Sequence, residues 1–550
     1  MNSRNILIPI KKDCHSYNKY LEYIRPYLDV FGMPYEEIPT SSLLETLKDD
    51  AALILLTQPD LELSPEESTA IFDAIKSGCG LFATYSSILD NTEFCEFAEP
   101  IELPKQCNSK EITFEKEHYI TRYHKSRQSI ALYSNLWFYQ SSHLKNSITL
   151  ISSGEAPLLE VSSFGHGKIV LMNTHDWIST DILGPVHGMD DIIREAIVWA
   201  AKKPFVMKGM PPFVAMRVDD VWGAWRNITP ENPLLWLEIA NKYGFKPWLG
   251  IFPDNINKKS ISIARDYIEK GNATAFPHAF EGCEWTGSAP EDWLWYDHRH
   301  QRPWSDHIMK ERAEKAKDWF EENRLSISKV ALPHYYEMSE CALPILLEWG
   351  CEFVGLQMPP DAFYLSGEKF KCGPYRKFNS RPAGDNRPVY YADYLSFPNK
   401  PDIDKKLFNC VIELHDVSGY ELAPTNDVEK TISSGVEQLR RSIISGLPAT
   451  LFTHESCWIQ QVTPENWEAE IKGITEGIAD LSPVFDTLDN ICKYVRANHN
   501  IRITNPTVDE SGNLDFTVTG TCDMDTKCYV FSESNSKIIK EERTIARNLL

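Results

Sequence analysis

The chain of 550 residues is 42% hydrophobic and 24% charged, the proportions of an ordinary globular protein, and its length suggests three or four domains. Its 56 Lys+Arg against 78 Asp+Glu leave a formal net charge of −22, which argues against nucleic-acid and anionic-membrane binding, because phosphate-seeking surfaces need a cationic excess. No run of about 18 apolar residues occurs, so no transmembrane helix is expected, and the 13 cysteines form no CxxC pair, which fits a reducing compartment better than a disulfide scaffold.

The start, Met1 to Asn5, runs straight into the apolar stretch Ile6–Ile10. That stretch is too short for a secretory signal and has no small-residue cleavage site. Composition therefore points to the cytoplasm, or to the periplasm or exterior if a signal peptide once preceded this sequence. Residues 1–204 read as one α/β domain. Strands are expected at Ile6–Ile10, Ala51–Leu56, Leu81–Tyr85 and Lys168–Asn173, and helices at Tyr17 to Phe31, Ser64 to Lys76 and Asp190 to Ala201. Ser64 has the chemistry of an N-cap, with Glu66 and Glu67 in the first turn. Strands alternating with helices imply a mostly parallel, doubly wound, flavodoxin-like sheet.

A linker rich in Lys and Pro, 202–212, precedes a more regular alternation over residues 205–498. Apolar strands are expected at Phe213–Val218, Pro247–Phe252, Ala273–Pro277, Lys329–Pro333, Cys351–Leu356, Phe408–Leu414 and Ala449–Thr453, with helical patterns between most of them. Seven such strands suggest an incomplete (β/α) barrel. Residues from Pro359 to Asp404, rich in Pro, Gly, Tyr and Asn, read as a long excursion over one barrel face. Residues 499–550 read as a small β appendage, with short strands at Ile501–Ile503, Leu514–Thr519 and Lys527–Phe531.

In a (β/α) barrel the working residues stand at the carboxyl ends of the strands. Those ends carry Asp219-Asp220, His278, His334-Tyr335-Tyr336, His415-Asp416 and His454-Glu455, while the strand bodies are apolar. A mixed His/Asp set with almost no Cys favours a divalent metal such as zinc. Such an ion lowers the pKa of bound water to about 7. A second carboxylate can then take the water's proton, and a histidine can protonate the leaving group.

The same residues carry a resemblance. RVDDV at 217–221 resembles the T-F-D-D-G motif of NodB-type polysaccharide deacetylases, carbohydrate esterase family four. FTHE at 452–455 resembles their last motif, L-L-H-D, and LPHY at 332–335 their third, R-P-P-Y. The resemblance spans roughly residues 211–490. It implies Asp219 as general base, Asp220 as metal ligand, His454 as general acid and the Tyr335 N–H as oxyanion donor. The family's second motif, H-x3-H, is broken here: His278 is present, but position 282 is Gly. An insertion would then leave His300 as the second histidine ligand, with His298 as the alternative. Leu332 stands in place of the third-motif Arg, and Val221 in place of the first-motif Gly. Asp416 falls where the fourth motif would lie and could orient the base.

The N-terminal domain resembles class I glutamine amidotransferase-like and trehalose-utilisation-like domains, through SGCGLFAT at 77–84, GHGKIV at 165–170 and AIVWAA at 196–201. Cys79 lies after a helix and before a strand, the reverse of a nucleophile elbow, so this domain is expected to be non-catalytic. Each site residue also has a plainer reading. Asp219-Asp220 could cap a loop, His278 could be a satisfied rim histidine, His334 could bind substrate or metal, and Arg217 on the strand body reads as structural. Trp222, Trp225, Trp285, Trp293, Trp295, Trp304 and Trp458 could line a carbohydrate site or pack loops. Cys522 and Cys528 read as free thiols. The leading expectation is a zinc-type metal hydrolase removing acetyl or similar acyl groups from a carbohydrate substrate, with no nucleic-acid or membrane partner. The alternatives are a non-catalytic carbohydrate-binding protein on a degenerate barrel and a metal amidase or lactonase acting on a non-sugar.

Overall fold

A computed structural model describes residues 2–47, 50–174, 182, 190–280, 294–297, 300, 302–334, 338–355, 392–395, 397, 399–410, 421–425 and 427–548. The fold is mixed α/β with parallel-stranded sheets, as expected. The chain divides into two compact units: one takes Met1–Gly209 and Ala497–Leu550, the other Met210–Asp385 and Val389–Arg496. Among the described residues no helix is long and apolar enough to cross a membrane.

The first unit contains β1 (Asn2–Ser3), β2 (Ile6–Ile10), β3 (Tyr35–Pro39), β4 (Leu53–Leu56), β5 (Gly80–Ala83), β6 (Ala98–Phe114), β7 (Ser129–Leu144), β8 (Ile148–Ser153), β9 (Ala156–Phe164), β10 (Gly167–Met172) and β11 (Phe205–Gly209). Nine of these form one sheet in the order β3-β2-β4-β5-β10-β9-β8-β6-β7. The half from β3 to β10 is parallel and the rest antiparallel. The helix Pro65–Lys76 begins at a capping box: the Glu67 N–H donates to the Ser64 hydroxyl, and the Ser64 N–H to the Glu67 carboxylate. The expected helix from Tyr17 to Phe31 is interrupted by a π-helical turn at Tyr20–Ile24, just before Pro26, which has no N–H to continue an α ladder. Cys79 is buried at the start of β5, and burial pushes its thiol up to about 12, the opposite of what a nucleophile needs.

The tail adds β21 (Ile501–Val508), β22 (Leu514–Gly520), β23 (Thr526–Ser534) and β24 (Lys537–Ile545). β21 pairs with β1 and β22, and β23 lies between β11 and β24. Val206, Ile501, Ile503, Cys528 and Val530 share one small apolar core. The tail strands therefore bury their apolar face with the N-terminal strands of the same unit.

The second unit holds β12 (Phe213–Val221), β13 (Pro247–Ile251), β14 (Thr274–Pro277), β15 (Val330–Ala331), β16 (Phe353–Val354), β17 (Asp393–Tyr394), β18 (Phe408–Asn409), β19 (Ala449–His454) and β20 (Val484–Phe485). One parallel sheet runs β14-β13-β12-β19, and a second runs β15-β16-β18 with β17 antiparallel on its edge. A parallel bridge from Ala275 to Ile327 and the Ser328 N–H to Ala275 carbonyl bond (2.7 Å) join them beside β14. Seven parallel strands thus follow one another in chain order, and among the described residues β18 and β19 do not pair. Strand side chains such as Val214, Met216, Val218, Leu249 and Leu451 form the core with Leu237, Leu439 and Ile474 from the surrounding helices. Most of the expected excursion from Pro359 to Asp404 falls within residues 356–391, which lie outside the described residues.

Helices Val428–Ile444 and Pro464–Gly477 approach so closely that a Cβ on Gly435 would meet Ile474 Cδ1 at 2.5 Å. Glu470 is fully buried at this junction, and burial pushes its carboxyl up to about 7 against a pull from Thr431. A folded pKa above the unfolded value favours the protonated fold. That contribution is present at low pH and is lost as pH rises through about 7. Glu470→Gln should therefore raise stability by about 2 kcal/mol at pH 8 and change little at pH 5. Thermal melts at both pH values check this, and equal shifts at both would refute it.

Candidate metal centre

In an ordinary strand, successive side chains face opposite ways, so two adjacent aspartates could not serve one site. Here the register of β12 against β13 slips between Val218 and Val221, and Asp220 takes a left-handed backbone (φ 59°). Such bulges re-aim side chains, and a non-glycine residue in this region costs of order 1 kcal/mol. The slip brings both carboxylates to the same histidine. Asp219 Oδ2 lies 3.2 Å from His278 Nε2, and Asp220 Oδ1 lies 3.7 Å from it.

The two aspartates differ in their other partners. Arg217 lies two residues before Asp219 on β12, hence on the same face. It donates from Nε to Asp219 Oδ1 (2.8 Å) and from Nη2 to Oδ2 (2.5 Å). Burial alone would raise the Asp219 carboxyl. The Arg217 charge, helped by His278, outweighs that and holds it far below the usual carboxylate range. Asp220 accepts from the Ser456 hydroxyl at Oδ2 (3.0 Å), while Oδ1 is buried and has no hydrogen-bond donor. Burial raises the Asp220 carboxyl, with the nearby His454 and His278 pulling the other way.

His278 ends β14 and is buried. Its Nδ1 donates to the Leu332 carbonyl (2.8 Å), which leaves the Nε2 lone pair facing the carboxylates. His334 Nε2 lies 3.6 Å from Asp220 Oδ1, and its backbone N–H donates to the His278 carbonyl (3.2 Å). Ligand atoms of Asp220, His278 and His334 all fall within 4.8 Å of one another. Four ligands at 2.0–2.1 Å around a tetrahedral ion sit about 3.4 Å apart, so separations of 3.6 and 3.7 Å need only slight closure. A lone pair and an orphaned carboxylate oxygen facing each other in a buried site repel unless a cation lies between them. The residues present fit a divalent ion. Among the described residues three protein ligands converge, and three such ligands leave a fourth position for water, as in catalytic rather than structural sites.

On β19, which pairs with β12 so that His454 lies opposite Asp219, His454 Nδ1 meets Glu421 Oε2 at 2.5 Å. Burial works against a charge on His454, but Glu421, with Asp220 and Asp219 behind it, raises the imidazole to about 10. The Glu421 segment is tied to the strand by the Leu422 N–H to Phe452 carbonyl bond (2.6 Å) and by the Thr453 hydroxyl to Leu422 carbonyl bond (2.7 Å). Glu455 is fully buried and accepts from the Trp222 and Gly223 N–H groups (2.5 and 2.7 Å) and from the Trp236 indole (2.6 Å). It holds the loop after Asp220 rather than facing the ligands.

Aromatic rings pack this cluster. Phe252 lies 5.9 Å from the His278 ring and 5.4 Å from that of His334, centroid to centroid, and Trp248 meets His278 edge-on at 6.1 Å. Beneath them, a Cβ on Gly250 would sit 3.1 Å from His278 Cγ and 3.3 Å from Asp219 Cα. Gly250→Ala should displace His278 by a few tenths of an ångström and weaken metal binding about tenfold or more, with a stability loss of about 1–3 kcal/mol. Metal titration and a thermal melt check this, and unchanged metal affinity would refute it.

The structure thus brings together Asp219, Asp220, His278, His334 and His454 of the residues singled out from sequence, and adds Arg217 and Glu421. His334 had been read as binding either substrate or metal. His300 is not in the group: its Nδ1 pairs with Asp297 Oδ1 (2.8 Å) and its side chain is 60% exposed, whereas His334 lies beside Asp220. Arg217, read as structural, contacts the site directly. His298, Tyr335 and Asp416 lie outside the described residues. The signal for Arg217 was its i−2 position on the strand. Glu421 had none, since no motif or strand pattern marks it.

No protein-family model matches the chain, nor does any curated protein. Among solved structures, a protein from Mycobacterium smegmatis described as a polysaccharide deacetylase is similar at 12% identity over 52% of this chain and 91% of its own, with a TM-score of 0.32. A ThuA-like protein from Parabacteroides merdae is similar at 9% identity over 36% of this chain and 90% of its own, with a TM-score of 0.28. A cytoplasmic protein of Salmonella typhimurium is similar at 15% identity over 32% of this chain and 87% of its own, with a TM-score of 0.25. Likenesses of this size carry no argument about the site, which stands on its own geometry.

Proposed function

We propose that the chain is a metal-dependent hydrolase that removes an acetyl or similar acyl group from a carbohydrate. One observation carries the hydrolase reading: around three converging ligand atoms, Asp219 is held ionised by Arg217 while His454 is held protonated beside Glu421. Two titratable groups pushed in opposite directions across one site supply a base and an acid at the same pH. The carbohydrate reading rests on the resemblance of RVDDV, LPHY and FTHE to the deacetylase motifs.

Asp220 Oδ1, His278 Nε2 and His334 would hold the ion. A bound divalent ion supplies a nucleophilic water near neutral pH and polarises the acyl oxygen. Asp219, adjacent but engaged with Arg217, accepts the water's proton. His454, its Nδ1 turned to Glu421, donates from Nε2 to the departing sugar oxygen or nitrogen. Phe252 and Trp248 keep bulk water from the histidines.

The test is zinc-loaded protein against N- and O-acetylated sugars, with simple amides and lactones alongside. Chelator-sensitive acetate release from the sugars supports the reading. Turnover of amides or lactones alone refutes the carbohydrate part, and absence of stoichiometric metal refutes the metal part.

A further inference from the structure

The fold accounts for one face and the outer edge of β7 but not for its other face. Leu136, Phe138 and Gln140 point inward and are buried. Ser86 caps the edge: its hydroxyl donates to the Tyr139 carbonyl (3.3 Å) and accepts from the Ser141 N–H (3.0 Å). On the remaining face Trp137 and Tyr139 are 52% and 56% exposed. They stand two residues apart on the strand, so both rings rise from one side, with their Cα atoms about 7 Å apart. Directly opposite them on β6 lie Asn108 and Gln106, both exposed. Among the described residues neither carboxamide has a hydrogen-bond partner. None of the 16 residues of β7 is Asp, Glu, Lys or Arg, in a chain that is 24% charged. His143, further along this face, is paired with Glu99 opposite it (2.7 Å).

We propose that Trp137, Tyr139, Gln106 and Asn108 form a binding platform for a neutral glycan chain. A hexose ring with equatorial substituents has an apolar C–H face and a rim of hydroxyls. The face suits an aromatic ring, which is apolar and flat. The rim suits a carboxamide, which offers donors and an acceptor together. Two rings in line on one strand meet two neighbouring sugars of one chain, with the amides beside them at the hydroxyls. The uncharged strand, on a chain with a net charge of −22, selects against sulfated and uronic glycans. A protein partner fits less well. A stable interface buries about 1,000 Å² or more, which four side chains do not supply. Ser86 also blocks the backbone edge at Tyr139 and Ser141 against strand addition. The platform lies in the first unit and the three metal-ligand candidates in the second. It needs no metal, so it stands apart from the hydrolase reading.

The experiment is native electrophoresis of the full chain, with and without chelator, through gels containing hydroxyethyl cellulose, glycol chitin or pectate. The expected result is retardation by a neutral polymer, the same with chelator present, and none by pectate. Trp137→Ala should weaken that affinity at least about tenfold, and Gln106→Ala with Asn108→Ala about fivefold. Trp137→Phe, which keeps a ring, should retain most of it. These side chains are exposed, so the variants should melt with wild type. No retardation of wild type by either neutral polymer overturns the proposal, and so does retardation by pectate alone. Affinity left unchanged by Trp137→Ala and Tyr139→Ala together overturns it as well. A wild-type dimer in sedimentation that Trp137→Ala dissolves assigns this face to a second copy and overturns it too. Should Trp137→Ala fail to fold, Tyr139→Ala and the amide pair carry the same comparison. Wild-type protein that is retarded by a neutral polymer but hydrolyses no acyl group refutes the proposed activity alone and leaves the platform supported.

Discussion

His334→Ala is expected to abolish stoichiometric zinc binding and to lower hydrolysis by at least about a hundredfold, whereas His300→Ala leaves both near wild type. The contrast follows from what each ring touches. His334 Nε2 faces the donor-free Oδ1 of Asp220 at 3.6 Å and is walled in by Phe252 and His278. His300 is mostly exposed and paired to Asp297. Removing one of three protein ligands leaves an ion held by two, with a buried carboxylate still to neutralise. The loss should therefore appear first as weakened affinity, in metal analysis after dialysis against a mild chelator. Stoichiometric zinc in His334→Ala with affinity near wild type would place the third ligand elsewhere. Zinc loss in His300→Ala would restore the ligand set read from the broken motif.

That contrast also marks where sequence reading stops. Asp219, Asp220, His278 and His454 were legible because each ends an apolar run, and a strand's carboxyl end in a barrel is where chemistry collects. His334 ends such a run as well. Its type and place allow substrate or metal binding, but the histidine-spacing motif points for the second histidine ligand to the stretch after His278. The bulge that turns Asp219 and Asp220 to one histidine leaves no trace in residue types, since it depends on how β12 pairs with β13. In the first unit, the parallel strands β2, β4, β5 and β10 were readable from their apolar runs, whereas parallel β3, with the sequence YEEIP, was not. β6 was not: apart from a few positions its 17 residues are exposed or half-exposed, so no alternating pattern announces it. The tail strands were readable one by one. Their pairing with β1 and β11, nearly the whole chain away for β1, was not, because register across such separations is set by packing.

Glu421→Gln should move the alkaline limb of the pH–rate profile down by about two units, lowering kcat at pH 9 about tenfold and leaving the rate at pH 6 close to wild type. His454 is held at about 10 because Glu421 lies 2.5 Å from its Nδ1 and outweighs the cost of burying an imidazolium. Glutamine preserves the shape and removes the charge, so burial then acts with less opposition and the imidazole titrates lower. The same change has a thermodynamic sign. A histidine whose folded value is raised contributes stability that is fully present below about pH 6.5 and is lost as pH rises through about 10. Glu421→Gln should thus destabilise the protein by about 2 kcal/mol at pH 6 and by progressively less toward pH 10. Ala at the same position adds a cavity cost at every pH, which separates packing from charge. A Glu421→Gln profile that superimposes on wild type, with a melting shift independent of pH, would show that this carboxylate does not set the protonation of His454. The general-acid role would then have to pass to another group.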